Sequence, residues 1–515
     1  METKIFFPSK NLTVYAEEGA NLLDIIQAQG LPIEAVCGGA GKCGKCLVSV
    51  DGEEKLACKT AVSGEAMTVA VLASAEGMEV LATSAATDAK PDAKAGGGSQ
   101  PAAVAIAIDI GTTTVVVKAT DAATGESLAV RGFTNPQRAF GADVLSRINL
   151  SMDDAGKLSP LITKALDEAI ADVLQEAAIP AASIMRVVIA GNTTMCYLLL
   201  NLRCRSLGLA PFEPEFSLKP EYGYAEVFHT DRLACPVIVT PFLSAFVGGD
   251  IVSGLVHIGR HFANDQSYIL VDMGTNGEIA YRGGGRLLAT STAAGPALEG
   301  GNILFGMSST AGAIYAAEYL DEPGGGAFSV RTIGDAPPVG ICGSGVIDLV
   351  AKLLAAGFIE ATGAMSAGIP QHLFREVPLN DRPSKAILIA EGAGGADDVV
   401  FCQKDVREFQ LAKGAIRAGI EILMKEMGAA PDVLYLAGAF GQNIDLDSAF
   451  AVGLLPESLR GRVQFVGNTS LGGAEDACLS AGTGGDIEAI LAEAEEINLG
   501  SHPDFNNVFM ETMMF

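Results

Sequence analysis

No stretch of this chain holds the roughly 18 consecutive apolar residues of a membrane-spanning helix, although 49% of its residues are apolar. Basic residues are scarce: 34 Lys and Arg stand against 61 Asp and Glu, a formal charge of −27. A surface so acidic repels phosphate backbones, which excludes a nucleic-acid partner. The acidic excess is spread along the chain and reads as a solubilising surface. The N-terminus, Met-Glu-Thr-Lys-Ile-Phe-Phe, lacks the basic segment and apolar core of a signal peptide. A cytoplasmic protein with reduced thiols is therefore expected. Its 515 residues allow on the order of two to four domains.

What is present begins with cysteine. The run Cys37-Gly-Gly-Ala-Gly-Lys-Cys43-Gly-Lys-Cys46 is followed, after eleven intervening residues, by Cys58. Glycine and lysine between thiols make a loop of little bulk, able to wrap an iron–sulfur cluster and aim backbone N–H groups at its sulfides. A four-thiolate zinc site is the rival, but zinc ligands usually come two and two, whereas these come three and one. The C-x5-C-x2-C spacing resembles the adrenodoxin-like branch of 2Fe–2S ferredoxins. The other six cysteines (Cys196, Cys204, Cys235, Cys342, Cys402 and Cys478) are scattered singly and read as reduced core thiols.

Around this loop, residues 1–80 read as a β-grasp ferredoxin domain. Strands are expected at Lys4–Phe7, Leu12–Ala16, Leu47–Val50 and Met67–Leu72, with a helix from Asn21 to Gly30. Residues 81–102 turn to Ala, Asp, Lys, Thr, Pro and a Gly-Gly-Gly-Ser run, a flexible linker that tethers the cluster domain rather than fixing it.

A strand then enters a small-residue turn: Val104-Ala-Ile-Ala-Ile-Asp109-Ile-Gly111-Thr112-Thr113. Glycine lets a phosphate approach the backbone, hydroxyls donate to its oxygens, and the aspartate can hold Mg2+ through water. The form recurs 163 residues later in Val271-Asp272-Met-Gly274-Thr275-Asn276-Gly277-Glu278. A third apolar strand runs into a glycine turn at Gly438-Ala-Phe-Gly441, suited to an adenosine. The recurrence predicts two related lobes, 103–265 and 266–515, each offering a phosphate hairpin to a shared cleft.

These motifs and their order resemble the actin, acetate-kinase, sugar-kinase and heat-shock-chaperone ATPases, so the fold class is α/β throughout. Further segments narrow the resemblance: Asn135-Pro-Gln-Arg-Ala-Phe-Gly-Ala-Asp143, Gly191-Asn-Thr-Thr-Met195, Phe246-Val-Gly-Gly-Asp250, Ala294-Gly-Pro-Ala-Leu-Glu-Gly300, Ile341-Cys-Gly-Ser-Gly345, Phe409-Gln-Leu-Ala-Lys413 and Gly467-Asn-Thr-Ser-Leu-Gly-Gly473. Together they are similar to the reductive activators of corrinoid proteins, over nearly the whole chain. The resemblance implies an ATP-dependent iron–sulfur oxidoreductase that returns a corrinoid protein of a methyltransferase system from Co(II) to Co(I). Cys37, Cys43, Cys46 and Cys58 would hold the 2Fe–2S cluster. Asp109, Gly111, Thr112, Thr113, Asp272, Gly274, Thr275 and Asn276 would hold Mg–ATP, with Gly438 and Gly441 at the adenosine. Asp250 is the candidate for positioning the hydrolytic water, because Thr240-Pro241 replaces the glutamate-proline of chaperone-type relatives. The loop Ala289–Gly301 offers Ser291 and Thr292 to read the cobalt state. An electron donor for the cluster is implied, and a homodimer is compatible. Two other classes stay open: a redox-sensing nucleotide switch, and an activator of a radical dehydratase.

Smaller signals carry less. His257 and His261 are spaced i,i+4 with no third ligand near in sequence. Ile487–Ile497 reads as an acidic solvated helix, and Gly392–Gly395 as a plain loop. The cysteine assignment makes the first prediction. Purified protein carries two irons and two sulfides per chain. Cys58→Ala abolishes the EPR signal of the reduced cluster, and Cys342→Ala keeps it. Four irons or a zinc would refute the assignment.

Overall fold

Polar–apolar alternation in the first strands leaves one face for a core. β1 (Glu2–Phe7) buries Ile5 and Phe7, and β2 (Leu12–Glu17) alternates between half-buried and exposed positions. The computed structural model describes residues 2–10, 12–29, 31, 33, 46–71, 103–141, 143–263, 265–321, 326–379, 382–392, 397–438, 444–480 and 482–515. The expected linker 81–102, Cys37, Cys43, Gly441 and most of Gly392–Gly395 lie outside them. Two compact units emerge: the described residues up to 71 together with those from 103 to 239, and those from Thr240 to Phe515.

In the first unit, α1 (Leu22–Ala28) starts where the Asn21 side chain accepts the Leu23 N–H at 2.9 Å, and it buries Leu22, Leu23 and Ile26. β3 (Leu47–Val50) and β4 (Glu53–Leu56) form a hairpin whose turn, Asp51-Gly52, has φ of 53° and 92°. Positive φ at both turn residues matches the strand twist. β5 (Met67–Val71) completes a sheet ordered β2-β1-β5-β3-β4, with β1 and β5 parallel. This is the expected β-grasp arrangement.

The rest of that unit is built on β6 (Val104–Ile110), buried along nearly its whole length, as a central strand covered on both faces must be. It pairs antiparallel with β7 (Thr114–Asp121), which pairs with β8 (Ser127–Thr134). Then follow α2 (Val144–Leu150), α3 (Ser159–Glu176), β9 (Ile184–Gly191), α4 (Thr193–Leu199), α5 (Arg205–Gly208), β10 (Tyr222–Gly223), α6 (Tyr224–Phe228) and β11 (Pro236–Val239). The sheet order is β10-β11-β9-β6-β7-β8, with β9 parallel to β6 and β11 to β9.

The second unit repeats this plan. After α7 (Gly249–His261) come β12 (Tyr268–Met273), β13 (Gly277–Gly283) and β14 (Arg286–Thr292) as an antiparallel meander. β15 (Ala313–Leu320), β16 (Ala327–Thr332), β17 (Gly340–Ile341), α8 (Gly343–Ala355), β18 (Phe374–Leu379), β19 (Arg382–Ala390) and β20 (Val399–Cys402) form an insertion with two three-stranded sheets. α9 (Gln403–Met427), β21 (Val433–Ala437), α10 (Leu446–Ala451), β22 (Val463–Gly467), α11 (Thr469–Leu479), α12 (Thr483–Glu493), β23 (Ala494–Glu496) and α13 (Phe505–Met513) finish the chain. The main sheet is ordered β22-β21-β12-β13-β14-β23. Its first five strands have the connectivity of β11-β9-β6-β7-β8, so the sequence repeat is a repeat of topology.

Two cores flank this second sheet. Val271 and Ile279 face a core with Ile416 and Ile420 of α9. Leu270, Ala280, Ala289 and Tyr435 face one with Ile251 and Leu255 of α7. The acidic segment departs from expectation. The helix stops at Glu493, and Ala494–Glu496 turns into a strand paired in parallel with Leu287–Ala289. The open edge of β14 satisfies its backbone better than water would. Ser291 and Thr292 also belong to strand β14 rather than to a loop, and Thr292 is buried.

α7, expected with the first lobe, packs within the second unit against α11. A Cβ on Gly473 would lie 2.0 Å from the Ser253 carbonyl oxygen, and one on Gly254 would lie 2.8 Å from Thr469 Oγ1. Only glycine permits so close a helix pair. Gly473→Ala therefore lowers stability by about 1–3 kcal/mol through overpacking. Gly259→Ala, on α7 with nothing within 4 Å, raises it by about 0.5–1 kcal/mol. Denaturant melts of both variants give the comparison, and equal effects would refute the close packing.

Candidate functional site

Of the four expected cluster ligands, the described residues include Cys46 and Cys58. Cys46 immediately precedes β3, and Cys58 sits in the short 3-10 turn Ala57–Lys59. The Ala57 N–H donates to the Cys46 carbonyl at 2.8 Å, and Asn21 Nδ2 donates to the Cys58 carbonyl at 3.0 Å. These bonds bring two buried sulfurs to 3.3 Å. That is too long for a disulfide, at about 2.0 Å, and near the roughly 3.8 Å edge of a tetrahedral thiolate site with metal–sulfur bonds of about 2.3 Å. The thiol pair thus fits an iron of a cluster. The six scattered cysteines are all buried and none is in a disulfide, as expected of core thiols.

At the first phosphate motif, Asp109 is the penultimate residue of β6. The Gly111 N–H closes the turn on the Thr114 carbonyl at 2.9 Å, and a Cβ on Gly111 would stand 2.6 Å from that oxygen. Three side chains outside the motif hold the turn's shape. Asn135 Nδ2 donates to the Gly111 carbonyl at 2.9 Å, and its backbone N–H donates to that of Thr113 at 2.9 Å. Arg147 Nη2 donates to the Thr112 carbonyl at 2.6 Å, and Asn192 Nδ2 to Thr112 Oγ1 at 3.1 Å. Asn135 and Asn192 lie in segments that carried the family resemblance, and their task here is to fix the turn. Sequence reading assigned Arg147 nothing. A lone Arg following an acidic N-cap (Asp143) carries no motif signal.

At the second motif, Asp272 is the penultimate residue of β12. The Gly274 N–H bonds the Asn276 carbonyl at 3.0 Å, and Thr275 Oγ1 donates to Glu299 Oε2 at 3.1 Å. Gly438 follows β21 with φ of 95°, and a Cβ there would stand 2.9 Å from Asp272 Oδ1. The expected adenosine turn therefore abuts the expected phosphate aspartate. Asp250 lies in the first turn of α7. Between these carboxylates sits one that sequence reading passed over. Glu278 on β13 stands opposite Asp272 in register, and opposite Ser291 on the other side. Burial, then the charge of Asp250, then that of Asp272 hold its carboxyl well above the usual range, with partial relief from an Asn276 hydrogen bond. The shift favours its neutral form beside the carboxylates of Asp250 and Asp272. The hint in sequence was a charged residue at an inward position of an otherwise apolar strand.

His257 and His261 do acquire a third neighbour. Asp476 of α11 reaches His257 Nδ1 and His261 Nε2, each at 2.8 Å. An ion here would take His257 Nδ1 and leave the buried Nε2–H without an acceptor, since Nε2 has no hydrogen-bond partner among the described residues. Metal-bound histidines almost always place that second N–H. The array is better suited to stapling α7 to α11, and the imidazoles hold the Asp476 carboxyl below its ordinary value against burial, which acts to raise it.

Comparison with known proteins divides the chain into three stretches, with α7 in the middle one, whereas in the structure α7 packs within the second unit. Residues 6–70 match the 2Fe-2S iron-sulfur cluster binding domain, 104–262 the RACo middle region, and 266–515 the C-terminal domain of RACo, the ASKHA domain. The corrinoid activation enzyme RamQ of Eubacterium limosum is 31% identical over 601 aligned residues, covering 99% of each chain. The [Co(II) methylated amine-specific corrinoid protein] reductase of Methanosarcina barkeri is 26% identical, covering 79% of this chain and 76% of its own. Among solved structures, a reductive activator for corrinoid,iron-sulfur protein aligns over 100% of this chain and 98% of its own, at 27% identity and a TM-score of 0.70.

The Glu278 carboxyl predicts a pH dependence. Its folded pKa is raised, so the native state holds the proton more tightly than the unfolded chain. The stability this contributes is complete below the unfolded value of 4.5 and is lost as pH rises through the folded value. Melting temperatures measured from pH 5 to 9 fall less steeply in Glu278→Gln than in the wild type. Parallel curves would refute the assignment.

Proposed function

We propose that this chain, which belongs to the RACo family of corrinoid activation enzymes, carries out ATP-dependent reactivation of a corrinoid protein, returning Co(II) to Co(I) for methyl transfer. The observation that carries the reading is the union in one chain of a buried cysteine pair in a β-grasp domain with two topologically identical phosphate hairpins. A 2Fe–2S cluster held by Cys37, Cys43, Cys46 and Cys58 supplies one-electron chemistry, and a separate electron donor reloads it.

The remaining roles belong to the nucleotide. In this reading Gly111–Thr113 and Gly274–Asn276 present backbone and hydroxyl donors to the phosphates of ATP, as small-residue turns do. Asp109 and Asp272 orient Mg2+ or its waters. Gly438 and Gly441 leave room for the adenosine, and Asp250 positions the attacking water near Glu278. Reducing Co(II) is uphill. Each 59 mV costs one electron about 1.4 kcal/mol, so an illustrative gap of roughly 200 mV requires about 4.6 kcal/mol. Nucleotide can offset this only by binding one state of the complex more tightly than another.

The test is the visible spectrum of a candidate corrinoid protein poised as Co(II), with this protein, reductant and ATP. Co(I) accumulates with wild type and ATP, and fails to do so without ATP. Asp109→Asn and Asp272→Asn lose ATP hydrolysis by on the order of 100-fold while keeping the cluster's absorbance. Wild-type hydrolysis in either variant would refute the phosphate assignment, and ATP-independent Co(I) formation would refute the coupling.

A further inference from the structure

Arg147 is among the largest fully buried side chains of the molecule, at 0% exposure. A guanidinium keeps its charge in proteins. Burial lowers its pKa to about 9, and the neighbouring cation Arg138 adds to this; Asp143 alone opposes it. Asp143 itself is exposed and spent on capping α2, accepting the Ser146 N–H at 2.7 Å. The donors of Arg147 go to neutral acceptors: Nε to the Gly141 carbonyl at 2.9 Å, Nη1 to Met195 Sδ at 3.1 Å, and Nη2 to the Thr112 carbonyl at 2.6 Å. No carboxylate pairs with it among the described residues. These contacts solvate the cation without neutralising it, and a buried ion in that condition is costly.

Other buried charged groups also find partners, although Lys413 in the second unit likewise donates to a carbonyl, that of Met514. Asp167, also in the first unit, receives Arg232, Tyr224 and Thr230. What sets Arg147 apart is the turn it holds. The acceptor it holds most closely, the Thr112 carbonyl, belongs to the turn Gly111–Thr113. That carbonyl shares its peptide with the Thr113 N–H, which points the opposite way in a trans amide. Hydrogen bonding by a cation to the carbonyl polarises the peptide and strengthens its N–H as a donor.

We infer that Arg147 is the fixed counter-charge for the nucleotide's phosphates, acting through the Thr112–Thr113 peptide as a positioning residue rather than by touching the ligand. The inference rests on the reading of Gly111–Thr113 as a phosphate turn, and it goes further in naming where the cationic component comes from. It also accounts for a phosphate turn without lysine or arginine of its own.

The experiment uses the full chain and calorimetric titration with Mg–ADP and with adenosine, which lacks phosphate. Arg147→Gln retains a donor for the Thr112 carbonyl but loses the charge; Arg147→Lys retains the charge. The Gln variant binds Mg–ADP about 10- to 100-fold more weakly and adenosine as the wild type does, while the Lys variant stays closer to wild type for both. If Gln does not fold, Arg147→Met, an apolar replacement of similar length, gives the same readout. Equal losses for Mg–ADP and adenosine would mean a structural role alone and would overturn the inference, as would unchanged Mg–ADP affinity. Wild-type protein that binds neither ligand would overturn the nucleotide reading itself, a distinct failure.

Discussion

Gly438 and Asp272 approach so closely that a Cβ on the glycine would stand 2.9 Å from the carboxylate. Two parallel strands, β12 and β21, hold this approach, and their register pairs Asp272 with Ala437. A carboxylate at the end of a buried strand is tolerable only where the chain beside it has no bulk and the next element leaves it accessible. The remainder of the second unit conforms to that demand. β13 supplies Glu278 from the facing strand, α7 brings Asp250 in its first turn, and α7 reaches this position because Gly254, Gly472 and Gly473 let α11 pack closely along its length.

The two motif turns differ in the charged groups beside them. In the second, burial and the charges of Asp250 and Asp272 raise the Glu278 pKa and so favour its neutral form. In the first, Asp109 faces Val116 where Asp272 faces Glu278, and the buried group is a cation held by neutral acceptors. The topological repeat is thus electrostatically asymmetric. One motif has carboxylates beside it, the other a buried guanidinium.

Much of this was legible from residue order alone. Chemistry confined to a few adjacent residues, such as thiols at set spacing or an aspartate followed by a glycine turn, is written locally because the backbone path between those residues is short. The β-grasp domain and the six core thiols follow from such local signals, and the recurrence of one hairpin predicted the repeated sheet. What residue order did not reveal depends on neighbours distant in sequence. Glu278 acquires its meaning from Asp272 across the strand pair and from Asp250 on α7. Arg147 acquires its meaning from Thr112, 35 residues earlier, whose carbonyl it holds. Asp476 joins His257 from 219 residues away, and Ala494–Glu496 becomes a strand because β14 offers it an edge. Burial and charge balance are properties of a packed interior, and only tertiary structure decides which groups share it.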